Sequence, residues 1–406
     1  MTGIFSFFSK TESTSFERKF AFYFFLSRFW VHIPIWVIFF LSKGYTLNQL
    51  ALINMILWIS VIVFEIPTGY IADFFGRKVS LILSYLSQAI GIGLFVIAKS
   101  IPLLSVSYVI WGFGITMASG AEDAWVYDEF KEWKIDHREF NEATFDGQFH
   151  DLMGRYVTIV HISLGSSQVV GGILASIYLW LPHTIIATIN LIVAIFLITI
   201  PETRKHYDSQ DDQPESTSLK AAFSALKPKY VFALSIIAII VSSFMDIQYL
   251  MQEDFDQHGI SLVTIGIYFA VVMYIVSIGS SLSRKYSNIA KNADFIIAIV
   301  GMSCAFILMS IVPILGVMLL FCLVVLFRGL YIPLMSTQIN KHLDSQNRAT
   351  SLSIISAVTK IVYIIFSVAI TYIIDKYGFS LGYFWTGLAM IVICFPALMI
   401  IVRSSR

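Results

Sequence analysis

The run from residue 48 to residue 72, NQLALINMILWISVIVFEIPTGYIA, contains one charged residue, Glu65, and the run 79–98 contains none. About 18–20 apolar residues suffice to cross the hydrocarbon of a bilayer as a helix, and a soluble domain interrupts such runs with polar faces. Runs of this kind recur at 20–41, 48–72, 79–98, 102–127, 155–178, 183–200, 230–250, 261–282, 294–312, 315–339, 350–373 and 380–402. The composition agrees: 57% of the 406 residues are hydrophobic and 13% charged, where a soluble domain carries about a quarter charged. The expected fold class is an all-α integral membrane protein of twelve transmembrane helices.

Most connections between these runs are short, and two are not. Residues 128–154 are rich in both signs of charge, and 201–229 is polar with interior prolines, which reads as a linker. The linker divides the spans six and six, so the expected organisation is an N-terminal six-helix bundle at 1–200, a cytoplasmic linker at 201–229 and a C-terminal six-helix bundle at 230–406. Lys43, Lys99 and Lys376 fall in the connections on one side, and Arg28, Arg328 and Lys360 fall within spans. All the other Lys and Arg fall on the opposite side, which the positive-inside rule makes the cytoplasm. Both termini are expected there. The first 19 residues lack a charged–apolar–small-residue cleavage pattern, so the first span is expected to be retained. Cys304, Cys322 and Cys394 all lie within spans at no metal-ligand spacing, which predicts neither a disulfide framework nor a redox site.

Between the second and third runs stands GYIADFFGRK, residues 69–78. Gly69 permits close helix packing, Gly76 permits a tight turn at positive φ, and Asp73 and Arg77 offer an ion pair at a helix junction. Gly69, Asp73, Gly76, Arg77 and Lys78 closely resemble the loop 2–3 signature of the major facilitator superfamily, at the expected position among twelve spans. FEIPTGYIAD before it and Pro201-Glu202-Thr203 closing the sixth span are similar to the same family, and the resemblance covers essentially the whole chain. It implies two six-helix bundles of the major facilitator fold and alternating access. It also implies a cytoplasmic latch in which Asp73 and Arg77 join an acid at the inner end of helix 4, matched here by Asp128. The corresponding stretch of the second half, 279–288, keeps Gly279, Arg284 and Lys285 but lacks the aspartate, so the latch is expected to be asymmetric.

Ionisable groups inside a bilayer are costly and are functional candidates by default. Asp123, next to Glu122, lies about 7.5 Å deeper than Asp128 at helical rise. Adjacent helical positions stand about 100° apart, so one of the two faces the cavity and the other a neighbouring helix or Arg155. Either is a candidate proton carrier, since burial and a second carboxylate both favour the protonated acid. Glu65 lies about 12 Å from the signature loop, either as a cavity acid or as a structural one beside Pro67. Arg28 and His32, four apart, share a face if the span is helical, and either meet Glu65, Glu122 or Asp123 or, for Arg28, snorkel to the interface. In the second half Asp246, Arg328 and Lys360 are the candidates: Arg328 either binds an anionic substrate group or holds Asp246 or another acid. Trp30, Trp36, Trp58, Tyr85, Trp111 and Tyr268 are candidate cavity aromatics.

Drug–proton antiporters of the superfamily often carry Gly-Pro, two residues and Gly-Gly in helix 5. Here Gly171–Gly172 are present but Ser167–Gln168 replace Gly-Pro, so close packing is the better reading. Residues 128–156 read as a charged helix along the cytoplasmic face; His137 and His150 show no metal spacing. No phosphate-cradling loop, zinc-binding His pair or nucleophile elbow occurs, so no enzyme, cofactor or nucleic-acid partner is expected. The helix 4 run Ser119-Gly120-Ala121, Ala124-Trp125 and Asp128 is similar to the twelve-span efflux branch. That resemblance implies proton-coupled export of a lipophilic or amphipathic compound from the cytoplasmic membrane by a monomer. The rivals are a proton-coupled importer of a nutrient or metabolite and a transport-inactive receptor or assembly partner.

Overall fold

A computed structural model describes residues 15–200, 229–245, 247–286, 292–343 and 345–404. Regular structure among the described residues is helical throughout. In chain order the helices are α1 (Ser15–Ser27), α2 (Trp36–Ser42), α3 (Leu47–Phe75), α4 (Arg77–Ile97), α5 (Ile101–Ala118), α6 (Ala121–Asp136), α7 (Glu142–Ile177) and α8 (Leu181–Thr199). They continue with α9 (Lys229–Phe244), α10 (Ile247–Gln257), α11 (Leu262–Tyr286), α12 (Asn292–Met309), α13 (Ile314–His342), α14 (Ser345–Tyr377) and α15 (Phe379–Ser404). Among the described residues, ten helical stretches are long and apolar enough to cross a membrane, and two shorter apolar ones are Ile33–Ser42 and Phe295–Met309.

Three expected spans are not continuous. The first breaks between α1 and α2: the helix ends at Ser27, and a 3-10 turn, Ile33–Ile35, which holds Pro34 with its missing N–H, precedes α2. The fourth breaks at Gly120, whose φ of +76° only glycine adopts freely. In the seventh, α9 ends at Phe244, Met245 is a turn, and residue 246 lies outside the described residues.

The loops also differ from expectation. The turn joining α3 to α4 is a single residue, Gly76, at φ +94°; Asp73 lies in α3 and Arg77 opens α4. At Gly69 an added Cβ meets open space, so the glycine serves no close packing here. Residues 279–286 continue α11. The charged stretch 128–154 is not a helix lying along a face: α6 runs on to Asp136 and α7 starts at Glu142. At about 1.5 Å per residue, the 36 residues of α7 far exceed a hydrocarbon core. The protruding hairpin carries Lys131, Asp136, Glu142, Asp146 and Asp151 exposed and buries Phe130, Phe145, Leu152 and Tyr156 on its inner face. Phe16 and Phe20 of α1 pack on that face. Asn141 caps α7 by accepting the Ala143 N–H at 3.0 Å. Lys134 donates to Glu139 at 2.8 Å across the turn, and that hydrogen bond holds the Glu139 carboxyl below the usual range.

The chain forms two compact units: residues 1–34 with 59–206, and residues 35–58 with 207–406. Of the linker 201–229, all but Lys229 lies outside the described residues. In the first unit α4 packs against α5 and α8. At Gly171 of α7 a Cβ would stand 2.0 Å from the Val31 carbonyl oxygen. In the second unit Gly279 of α11 and Gly329 of α13 let those helices meet, each Cβ position lying within 2.5 Å of the partner's backbone carbonyl. Residues 35–58 are tied into this unit by the Val37 N–H donating to Gln252 at 2.9 Å. Asn48 donates to Asp375 at 2.6 Å and Asn54 to the Tyr363 hydroxyl at 2.9 Å.

These approaches predict that Gly171→Ala, which must displace backbone, destabilises the first unit by about 1–3 kcal/mol. Gly93→Ala, whose Cβ finds its nearest neighbour at 3.9 Å, should be neutral. Thermal unfolding of the two variants in detergent checks the pair.

Candidate functional site

Two of the broken spans deliver opposite charges to one place. Arg28 follows the C-terminus of α1, and Glu122 lies in the first turn of α6. A helix C-terminus favours a cation and an N-terminus an anion, so each break presents its charge at the helix end that stabilises it. Arg28 Nη2 donates to Glu122 Oε2, with 25% and 12% of the two side chains exposed. The Tyr23 hydroxyl donates to Glu122 Oε1 at 2.6 Å, the Tyr85 hydroxyl reaches the same oxygen at 3.5 Å, and the two hydroxyls lie 3.1 Å apart. The carboxylate is therefore gripped by one guanidinium and two phenols. Tyr85 was anticipated as a cavity aromatic. Tyr23 was not: its one signal is its place five residues before Arg28.

Glu122 and Asp123 separate as helical geometry requires. Asp123 is exposed, and Arg155 is paired with Glu17 at 3.0 Å instead of with either acid. Glu65 is exposed on α3. His32 shares no helix face with Arg28, because α1 ends at Ser27 and residues 28–32 are not helical. It is 2% exposed, with its ring 5.6 Å from that of His183 and 6.2 Å from that of Trp111, and neither ring nitrogen has a hydrogen-bond partner.

The basic residues after Gly76 bind two different elements. Arg77 Nη1 donates to Asp128 at 2.5 Å and to the Ala124 carbonyl at 3.1 Å, which ties the start of α4 to α6. Lys78 donates to the Ile200 carbonyl just past α8. Asp73 is exposed.

In the second unit Asp246 lies outside the described residues, and Lys360 is half-buried on α14. Arg328, on α13, has a buried Nε with no hydrogen-bond partner. The Tyr249 phenol, in the first turn of α10, interacts with it electrostatically, and the Tyr249 ring meets Trp36 at 6.0 Å. Trp58 packs on Tyr363 at 5.3 Å, and the Tyr268 hydroxyl donates to the Met318 carbonyl at 3.0 Å. Sequence reasoning also passed over Asp254, 4% exposed, which accepts from the Tyr383 hydroxyl at 2.5 Å. Among the described residues no group of three or more His, Cys, Asp or Glu could hold a metal ion.

Removing one member of a buried pair strands the other charge at a cost of about 3–5 kcal/mol. Because the Arg28–Glu122 pair keeps partial access, Glu122→Gln should lower unfolding stability by about 2–3 kcal/mol. Arg28→Gln added to it should restore part of the loss. A double-mutant cycle of unfolding midpoints measures the coupling.

Comparison with known proteins places this geometry. The profile of the Major Facilitator Superfamily matches residues 20–359. A curated relative, the uncharacterized MFS-type transporter YxaM of Bacillus subtilis (strain 168), is 23% identical over 359 residues, 86% of each chain. Among solved structures, the nucleoside transporter NupG is similar at TM-score 0.76 and 14% identity, over 95% of this chain and 99% of its own. A bacterial homolog of the lysosomal transporter Spinster, inward-facing and unoccupied, gives 0.71 at 16% identity over 98% of each chain. The D-xylose-proton symporter gives 0.65 at 14% identity, over 93% and 97%. A chain that folds in this way and matches this profile over most of its length is a multi-pass membrane transporter and no enzyme, and it belongs to the Major Facilitator Superfamily.

Proposed function

We propose that this protein is a secondary transporter that exports an amphipathic small molecule in exchange for protons, and that Glu122 carries the proton. The observation that supports this is the grip of Arg28, Tyr23 and Tyr85 on the Glu122 carboxylate. Arginine does not release its proton in a protein, so the pair changes charge only at Glu122. Protonating that acid weakens its hold on Arg28 and frees the ends of two broken helices to reset. Discontinuous helices that present their ends to ions and substrate are a recurrent way for transporters to couple the two. Asp123, exposed and one position away, is the natural comparison.

In the same reading Arg77, Asp128 and Asp73, with Gly76 as the turn, form a cytoplasmic latch between the second, third and fourth spans, with both termini on that side of the cytoplasmic membrane. Export is supported by the Ser119-Gly120-Ala121 to Asp128 run alone. An importing direction has its own support, because a nucleoside transporter and a D-xylose-proton symporter share the fold.

Proteoliposomes loaded with a pH-sensitive dye test the reading. A transported compound should move protons with wild type and Asp123→Asn, and Glu122→Gln should abolish that movement. Its direction separates export from import. Proton movement that survives Glu122→Gln removes the assignment. The latch has a separate signature. Arg77 and Asp128 are each 38% exposed, and pairs this accessible contribute about 0–1 kcal/mol. Asp128→Asn should therefore leave the unfolding midpoint nearly unchanged and slow transport several-fold, which parallel Tm and initial-rate measurements read.

A further inference from the structure

The two intramembrane arginines of the described spans have opposite circumstances. Arg28 is neutralised by Glu122. Arg328 forms no ion pair with any described carboxylate: the acids that are paired belong to Arg28, Arg77, Lys134, Arg155 and His258. Its Nε is buried and unpartnered. Its position is fixed by the packing beside it, because the next residue, Gly329, lies against the Val276 carbonyl with no space for a Cβ. The cation therefore cannot swing its helix to find relief. A charge at this depth is costly, and it persists where something anionic joins it during the working cycle.

What surrounds Arg328 suits an amphipathic anion. Tyr249 stands in the first turn of α10, an eleven-residue helix whose N-terminus adds positive potential to that of the guanidinium. The Tyr249 and Trp36 rings meet at 68° and offer an aromatic surface beside the charge. Guanidinium forks match carboxylate and phosphate geometry in two parallel hydrogen bonds.

We propose that Arg328 anchors the carboxylate or phosphate group of the transported molecule, and that Tyr249 and Trp36 receive its apolar part, so that the substrate is an amphipathic organic anion. This rests on the transporter reading above and adds the substrate class to it. It is independent of Glu122, which sits in the other unit.

The test uses the full-length protein in detergent, with intrinsic tryptophan fluorescence and a matched set of probes: 4-phenylbutyrate, phenyl phosphate, 4-phenylbutyramide and 4-phenylbutylamine. The anions should bind at least tenfold more tightly than the amide or the amine. Arg328→Gln should weaken the anions by tenfold or more and leave the amide unchanged. Arg328→Lys, which keeps the charge and loses the fork, should fall between, and it stands in if the Gln variant fails to fold. Equal affinity for amide and carboxylate, or no binding by either anion, overturns the proposal. So does recovery of anion affinity in Arg328→Gln/Asp246→Asn, which would make Arg328 the counter-ion of Asp246. Displacement of the probes by added phosphatidylglycerol assigns the same anion chemistry to a lipid headgroup and overturns the substrate reading. Binding is read without any proton movement, so a failure here leaves the Glu122 assignment standing, and a failure of Glu122→Gln in the dye assay leaves this proposal standing.

Discussion

An arginine and a glutamate inside an apolar bundle are tolerable only as a pair with its remaining hydrogen bonds satisfied, and much of the first unit is arranged to meet that condition. The pair sits where two spans stop being helical. α1 ends at Ser27, just before Arg28, and Gly120 interrupts the fourth span just before Glu122. The free helix ends supply potentials of the right sign for each charge. Tyr23 and Tyr85 then occupy one carboxylate oxygen while Arg28 occupies the other. A continuous helix in either span would offer neither the ends nor the geometry.

The second unit solves a related problem differently. Its seventh span also breaks, and Arg328 lies in electrostatic reach of the first turn beyond the break, but no described carboxylate neutralises it. In the first unit Arg28 is paired with Glu122, whereas in the second no described carboxylate pairs with Arg328. The close approaches at Gly171, Gly279 and Gly329 fix the spans that carry these groups, since backbone in contact with backbone leaves no slack for the charges to drift.

The legible part of this architecture was whatever depends on local composition. Apolar run length marked the spans, whereas nothing local in the sequence signalled that residues 35–58 pack with the second compact unit. The charges of 69–78 were legible as a junction, yet their partners were not. Arg77 reaches Asp128 as the family resemblance implies, whereas Lys78 closes the end of α8 at Ile200, a pairing 122 residues away in sequence. The hairpin of α6 and α7 was read as one surface helix, because charges at three- and four-residue spacings look alike on one helix and on two joined by a turn. Its inner face of Phe130, Phe145, Leu152 and Tyr156 packs on α1.

The sequence by itself determined that this chain crosses a membrane many times, since the cost of unpaired backbone and charge in hydrocarbon leaves long apolar runs no other fate. It also placed Glu122, Arg28 and Arg328 in or beside the long apolar runs. Only the tertiary structure decided which of two adjacent acids meets Arg28, because that choice depends on the 100° between neighbouring positions and on where Gly120 restarts the helix. It likewise decided that His32 leaves Arg28 for an aromatic box with Trp111 and His183, and that Arg328 stands without a described carboxylate. Those outcomes turn on which helix faces which, and no local pattern of residues records that.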